Sequence, residues 1–228
     1  MKSAAKPENE SARLEALKKY ELLDTVSEKV YNEITKLASE LAGTPIAVLN
    51  LIDADRQWTK AKHGIELREV SRDISFCAHT ILNPDKELIV RDARYDERFH
   101  DNPMTVGEYP VIFYAGVPVA NKEGLALGSL CVVDHRPRTL PQEKIAALRS
   151  LAQLIQVHFE LRLANIQLEE KNDRLMLALP LINTILNEID MLGKSGLKPE
   201  QASQMEMLKD TAAALKTLFE DPEPSNDA

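Results

Sequence analysis

Ile46-Ala-Val-Leu-Asn-Leu-Ile52 is a nearly unbroken apolar run, interrupted only by Asn50. Its length and its branched side chains predict the central strand of a sheet. Asp53-Ala-Asp55 reads as a turn, and Gln57 to Lys62 as the returning arm of a hairpin. Upstream, Leu14, Leu17 and Tyr20 mark a short amphipathic helix ending near Leu22–Leu23. Thr25-Val-Ser-Glu28 has the form of a capping box. It is expected to open a second helix with apolar positions Val30, Tyr31, Ile34, Leu37, Ala38 and Leu41, stopped by Gly43 and Pro45. Downstream, Phe76 to Leu82 predicts a short helix after Ser75, and Leu88-Ile-Val90 a brief strand. Val111 to Val119 and Leu125 to Asp134 predict two further strands around the turn Asn121-Lys-Glu-Gly124. Long hairpins imply an antiparallel sheet. The expected fold class is therefore α+β, with one layered domain over residues 10–140 and a flexible tail at 1–9.

Bulk composition narrows the function classes. The 228 residues suffice for one domain plus an accessory element. A net charge of −8 argues against a nucleic-acid or anionic-membrane surface. No run of eighteen apolar residues occurs and the N-terminus is polar, so neither a membrane span nor a signal segment is expected, and the expected location is the cytoplasm. Cys77 and Cys131 are expected as free thiols, and two cysteines alone do not make a metal site.

From Pro141 the period becomes helical, with no break expected before about Leu192. At ~1.5 Å per residue such a helix would be a rod of roughly 75 Å. Leu154, Leu161, Leu168, Leu175, Ile182 and Ile189 recur every seven residues. Leu151, His158, Asn165, Asn172, Leu179 and Leu186 form a second series three residues earlier. Together they read as the d and a positions of a coiled coil, which predicts a homodimer. The three polar a positions, His158, Asn165 and Asn172, specify register or loosen the middle of the seam. Gly193-Lys-Ser-Gly196 breaks the helix, and a further helix is expected from Pro199 to Phe219. The expected divisions are a connector at 141–171, a helical hairpin at 172–219 and an acidic disordered tail at 220–228. Pro180 cannot donate to the Met176 carbonyl and is expected to act as a hinge.

The strand-rich region resembles a GAF domain of the kind found in bacterial histidine kinases and cyclic-dinucleotide enzymes. The resemblance rests on Arg13-Leu-Glu-Ala-Leu17, Leu22-Leu-Asp-Thr25, Pro45-Ile46, Leu51-Ile-Asp53, Arg56-Gln-Trp58 and Arg72-Asp-Ile-Ser-Phe-Cys-Ala-His79. It continues through Asp92-Ala, Asp96-Glu-Arg-Phe99, Asn102-Pro103, Phe113-Tyr-Ala-Gly-Val-Pro118 and Gly128-Ser-Leu-Cys-Val-Val-Asp134. The stretch Leu175-Met-Leu-Ala-Leu-Pro-Leu-Ile-Asn-Thr-Ile-Leu186, with Leu197 to Gln201 and Met207 to Ala212, looks like a histidine-kinase dimerisation hairpin. That resemblance implies a dimeric four-helix bundle. It also implies that Leu175 stands at the degenerate phosphoacceptor position, where the family carries histidine.

The candidate ligand pocket comprises Trp58, Arg72, Phe76, Cys77, His79, Asp92, Phe99, Phe113, Tyr114 and Cys131. Bland readings compete. The aromatics suit a core, free cysteines are commonly buried, and Cys77 and His79 do not share a helix face. Arg72, Asp92, Arg94, Asp96 and Arg98 could hold a polar ligand, yet mutual pairing on loops explains them more simply. Asn183, Asn187, Glu188 and Asp190 are candidate partner contacts. The expected function is a non-catalytic, homodimeric signal-transduction regulator. Its GAF sensor would act through the coiled coil on a response-regulator receiver or a sensor kinase, with no cofactor and no metal. The alternatives are a small-molecule or redox sensor acting on an unlinked partner and, more remotely, a histidine phosphotransferase using His158.

Overall fold

The computed structural model describes residues 1–193 and 199–220. The expected helix break beyond Gly193 and the acidic tail from residue 221 lie outside the described residues. Two compact units are present, Met1–Leu163 and Ala164–Ala228.

In the first unit, α1 (Glu10–Lys19) and α2 (Lys29–Ala42) precede a six-stranded sheet. Its strands are β1 (Ile46–Ile52), β2 (Arg56–His63), β3 (Glu69–Ser71), β4 (Leu88–Val90), β5 (Phe113–Ala120) and β6 (Ala126–Asp134). They run in the order β3-β2-β1-β6-β5-β4, and every neighbouring pair is antiparallel. Two short helices, α3 (Phe76–Thr80) and α4 (Pro103–Val106), lie in the connections. The sheet is therefore the antiparallel α+β arrangement anticipated, with β1 second to none in burial: all seven of its residues are buried.

The apolar run of β1 exists because the sheet is covered on both faces. Successive side chains point to opposite sides. Ala47, Leu49 and Leu51 join a core with α1, α2 and the start of α5 (Gln142–Gly193), whereas Ile46, Val48 and Ile52 join a second core with α3 and the long loops. In β2 a bulge opposite Leu49 and Asn50 leaves Lys60 outside the register, between Thr59 and Ala61. The Lys60 side chain is buried and ion-pairs with Glu28 at 2.5 Å. On the helix side Gly43, at φ 70°, ends α2 in the left-handed conformation that glycine tolerates.

Three expectations change. The Thr25–Glu28 capping box does not form. The α2 cap is Glu28 without a side-chain bond, and Thr25 Oγ1 instead donates to Leu22 O at 2.7 Å. Lys60 approaches the same hydroxyl at 2.6 Å, so tertiary contacts claim Thr25. The tail at 1–9 is not loose throughout, because Lys2 N donates to Arg98 O at 3.2 Å and Ala4 packs on the second core. The connector does not begin at 141 as a free rod: Ile145, Leu148, Leu151, Ala152, Ile155 and Phe159 of α5 belong to the helix-side core. Their three- and four-residue spacing is one helical face, and it meets the sheet rather than a second chain.

In the second unit, the rest of α5 and α6 (Pro199–Glu220) are both helical. Lys209 Nζ bonds Asp190 Oδ1 at 2.9 Å and ties α6 back to α5. The dimeric four-helix bundle is an arrangement of two chains, and one chain displays only its helices. An 18-residue window of α5 has mean hydropathy 1.4 and no burial, which is long and apolar enough to cross a membrane by composition alone.

Candidate functional site: a buried dithiol beneath the sheet

The second core encloses a small cleft of about 40 Å3, room for one or two waters. The sheet supplies its floor. Val48 and Asn50 come from β1, Gln57 from β2, Tyr114 from β5, and Cys131 and Val133 from β6. Phe76 and Cys77 of α3 cover one side, while Ile65, Leu67, Met104, Tyr109, Val111 and His135 arrive on loops and on α4.

Local sequence fixes α3 over the floor. Ser75 caps it, its hydroxyl accepting from Ala78 N at 2.9 Å while donating to Gln57 Oε1 at 2.6 Å. Cys77, the second residue of that helix, is thereby held over β6. Its sulfur lies 3.7 Å from that of Cys131. Asn50 Nδ2 reaches Cys77 Sγ at 3.2 Å and Cys131 Sγ at 3.8 Å. Asn50 Oδ1 is oriented by the Thr59 hydroxyl at 2.9 Å. Tyr114 Oη donates to Cys77 Sγ at 3.5 Å and shares a 2.6 Å hydrogen bond with Thr80 Oγ1.

These contacts divide the two thiols. Burial pushes the Cys77 thiol up, but contacts from Cys131, Tyr114 and Asn50 oppose it and hold the thiol below its ordinary value. The Cys131 thiol is pushed well up, first by its contact with the Cys77 sulfur and then by burial. Burial, followed by the neighbouring sulfur charge, raises the Tyr114 phenol and keeps it a donor. The donors that favour a thiolate therefore gather on Cys77 rather than on Cys131.

Of the expected pocket residues, the structure brings together Phe76, Cys77, Tyr114 and Cys131 around the cleft. Phe99 stacks on Phe76 behind it, with ring centroids 3.9 Å apart. Trp58 and Phe113 point to the opposite face, in the helix-side core, because strand alternation sends them there. His79 faces away from the cleft, edge-on to Phe99 at 4.8 Å, with Nε2 3.0 Å from Lys2 O. Arg72 is buried beside Glu10 and donates to Asp53 O at 2.8 Å. Asp92 pairs with Arg94 and Asp96 with Arg98, each at 2.7 Å, so these charges neutralise one another on their loops. Asn50 and Gln57 were missed. The signal for Asn50 was present, since it is the one polar residue inside the apolar run of β1. Among the described residues no group of three or more His, Cys, Asp or Glu is placed to hold a metal ion.

The seam residues divide between the two units. Leu151 is buried in the first unit, Leu154 and Leu161 are exposed, and His158 is half-buried, edge-on to Tyr31. Asn165, Leu168 and Asn172 are exposed. In the second unit Leu175, Leu179, Ile182 and Leu186 are half-buried and Ile189 is buried. Pro180 stands inside α5 without ending it. Asn183, Asn187 and Glu188 are exposed, while Asp190 is half-buried in its ion pair with Lys209.

The chain is 41% identical over 150 residues to a cyclic di-GMP phosphodiesterase of Pseudomonas aeruginosa. The match covers 65% of this chain and 25% of that protein, so the chain spans about a quarter of its relative's length. The expectation of a non-catalytic protein is corrected by this finding, because the relative is named as an enzyme. Among solved structures, the GAF domain of an Acinetobacter phosphoenolpyruvate-protein phosphotransferase aligns at TM-score 0.50 and 17% identity, over 68% of this chain and 95% of that one. The blue-light absorbing form of a Thermosynechococcus elongatus GAF domain aligns at TM-score 0.50 and 14% identity, over 69% and 93%. At such identities they speak to fold alone. The GAF domain family matches residues 27–159, more than half of the sequence. This chain belongs to the GAF domain family.

Proposed function

We propose that the chain is a GAF sensory protein of cyclic di-GMP signalling, in which the state of the domain is conveyed along α5. One observation carries this reading. The α5 residues Ile145, Leu148, Ile155 and Phe159 are part of the core behind the sheet, and the same helix continues to Gly193. A helix rooted in a packed core moves with that core. Arg162 fastens the last turn of the first unit, donating to Tyr20 O at 2.7 Å and to Glu21 O at 2.9 Å. The relative in Pseudomonas aeruginosa supports cyclic di-GMP turnover as the reaction affected.

The test has two arms. The purified chain is assayed directly for hydrolysis of cyclic di-GMP. The matching segment of the Pseudomonas aeruginosa relative is also replaced by this chain's, and hydrolysis is followed with and without Arg162→Ala. The expected result is hydrolysis by the hybrid that changes when Arg162 is removed. Hydrolysis by neither protein, or a hybrid rate indifferent to Arg162→Ala with the fold intact, refutes the proposal.

The second unit supports a dimerisation role within the same reading. Met176, Leu177, Leu181 and Ile185 are exposed along α5, outside the expected a and d positions, and form an apolar surface suited to a second copy of the chain. A receiver domain or a sensor kinase is the partner class then to be tried, by capture compared between the native chain and Asn187→Lys/Glu188→Lys.

A further inference from the structure

Cys77 and Cys131 stand 54 positions apart in sequence, yet their sulfurs are 3.7 Å apart in the cleft. Both are almost wholly buried, at 2% and 1% exposure. Apolar packing would explain two buried thiols, but not the groups aimed at them. Asn50 spans both sulfurs with one amide, and Tyr114 directs its hydroxyl at Cys77. Asn50 is itself held by Thr59, and Tyr114 by Thr80. Two polar side chains thus reach the pair of sulfurs, and two more hold them there.

We propose that Cys77 and Cys131 are a site of reversible covalent modification, closed to an intramolecular disulfide by a small hydroperoxide. In the first step the Cys77 thiolate attacks one oxygen of hydrogen peroxide. The O–O bond breaks, Cys77 becomes a sulfenic acid, and the departing hydroxide takes a proton to leave as water. In the second step the Cys131 sulfur attacks the Cys77 sulfur. The S–S bond forms, the S–O bond breaks, and the thiol proton of Cys131 leaves with the hydroxyl as a second water. The two thiols are oxidised by two electrons and the peroxide is reduced by two.

The roles follow from the surroundings. Cys77 receives hydrogen bonds from Asn50 and Tyr114, which favour its thiolate. Cys131 is the resolving thiol because Asn50 Nδ2 lies farther from it, 3.8 Å against 3.2 Å, and Tyr114 directs its hydroxyl at Cys77 instead. Peroxide is scarcely larger than water, and the cleft of about 40 Å3 admits a molecule of that size. A disulfide needs the sulfurs at about 2.05 Å, so they must close by roughly 1.7 Å from their present 3.7 Å. Cys77 sits in the first turn of the five-residue helix α3, and a shift of that turn toward β6 would bring its sulfur to Cys131. The bond would tie α3 to β6, a strand paired with both β1 and β5. It would also remove the thiolate to which Asn50 and Tyr114 donate. The modification concerns the chain's own chemistry and goes beyond the sensory role proposed above, since it is measured without any cyclic di-GMP assay. Either proposal can therefore fail alone.

The experiment treats the purified, folded chain with graded hydrogen peroxide, blocks remaining thiols with iodoacetamide, and maps peptides without reductant. The expected result is loss of both alkylatable thiols, a mass lower by two hydrogens, and a cross-linked Cys77–Cys131 peptide reversed by dithiothreitol. Cys131→Ser should instead accumulate a Cys77 sulfenic acid trapped by dimedone. Full alkylation of both thiols after peroxide overturns the proposal. A cross-link that forms only in denaturant, or only between chains, overturns it as well. The wild-type mass map decides the matter even where a variant folds poorly.

Discussion

Phe159→Ala is the sharpest test of where α5 belongs. Phe159 is fully buried and sits edge-on to Tyr31 at 5.7 Å and tilted to Tyr20 at 6.0 Å. Truncating a buried phenylalanine costs about 3–5 kcal/mol through lost transfer energy and the cavity left behind. For a unit of this size that lowers Tm by roughly 10 °C. Leu161, two residues on, is 56% exposed within the chain. Leu161→Ala is therefore expected to cost the first unit less than about 1 kcal/mol. Urea and thermal unfolding of the two variants, at several protein concentrations, give the comparison. The Phe159→Ala loss should be the same at every concentration, because its partners lie in the same chain. A larger loss from Leu161→Ala, or a Phe159→Ala loss that vanishes on dilution, would refute the assignment of this helix face to the domain core.

Three further outcomes follow from particular contacts. Burial pushes the Glu10 carboxyl up, but hydrogen bonds and charge from Arg13 and Arg72 bring it from 4.5 to about 2. Its contribution is then complete above the unfolded value and is lost as pH falls from about 4.5 toward 2, on the order of 2 kcal/mol after solvent screening. The stability gap between wild type and Glu10→Gln should shrink between about pH 6 and about pH 3, and a gap independent of pH would exclude this ion pair as its source. A Cβ on Gly128 would lie 2.0 Å from Asn50 O, whereas one on Gly124 would meet nothing within 4 Å. Gly128→Ala should thus cost about 3 kcal/mol or more and Gly124→Ala about 1 kcal/mol, the latter from its positive φ alone, and equal losses by denaturant titration would count against the close β1–β6 approach. Pro180→Ala should raise helicity in far-UV circular dichroism and stabilise the second unit by up to about 3 kcal/mol, since it restores an amide donor inside α5; unchanged helicity and stability would remove the argument for a hinge.

Much of the fold was legible because local spacing encodes local structure. The β1 run, the Asn121–Gly124 turn, the short helix after Ser75 and the Gly43 stop all appear where residue type and period placed them. The capping box failed because Thr25 is claimed by Leu22 O, three residues upstream, and by Lys60, a partner that no local window contains. The candidate pocket was only half legible. Alternation along a strand says that Trp58 and Lys60 differ from their neighbours in facing, but not which face carries the cleft. Phe113 and Tyr114 are adjacent, and they end in different cores.

The sequence by itself determined the class of the fold and the extent of its two long C-terminal helices to within a few residues. Along α5 it showed one seven-residue seam, read as the face for a second chain. Only the tertiary structure decided that the stripe through Ile145, Leu148, Ile155 and Phe159 packs on the sheet. Two apolar stripes of similar strength are equivalent until an opposing surface exists, because the hydrophobic effect has no direction of its own. The meeting of Cys77 with Cys131 belongs to the same category. One comes from a capped turn of helix and the other from a central strand, and only the antiparallel order β1-β6-β5 under α3 carries their sulfurs into contact.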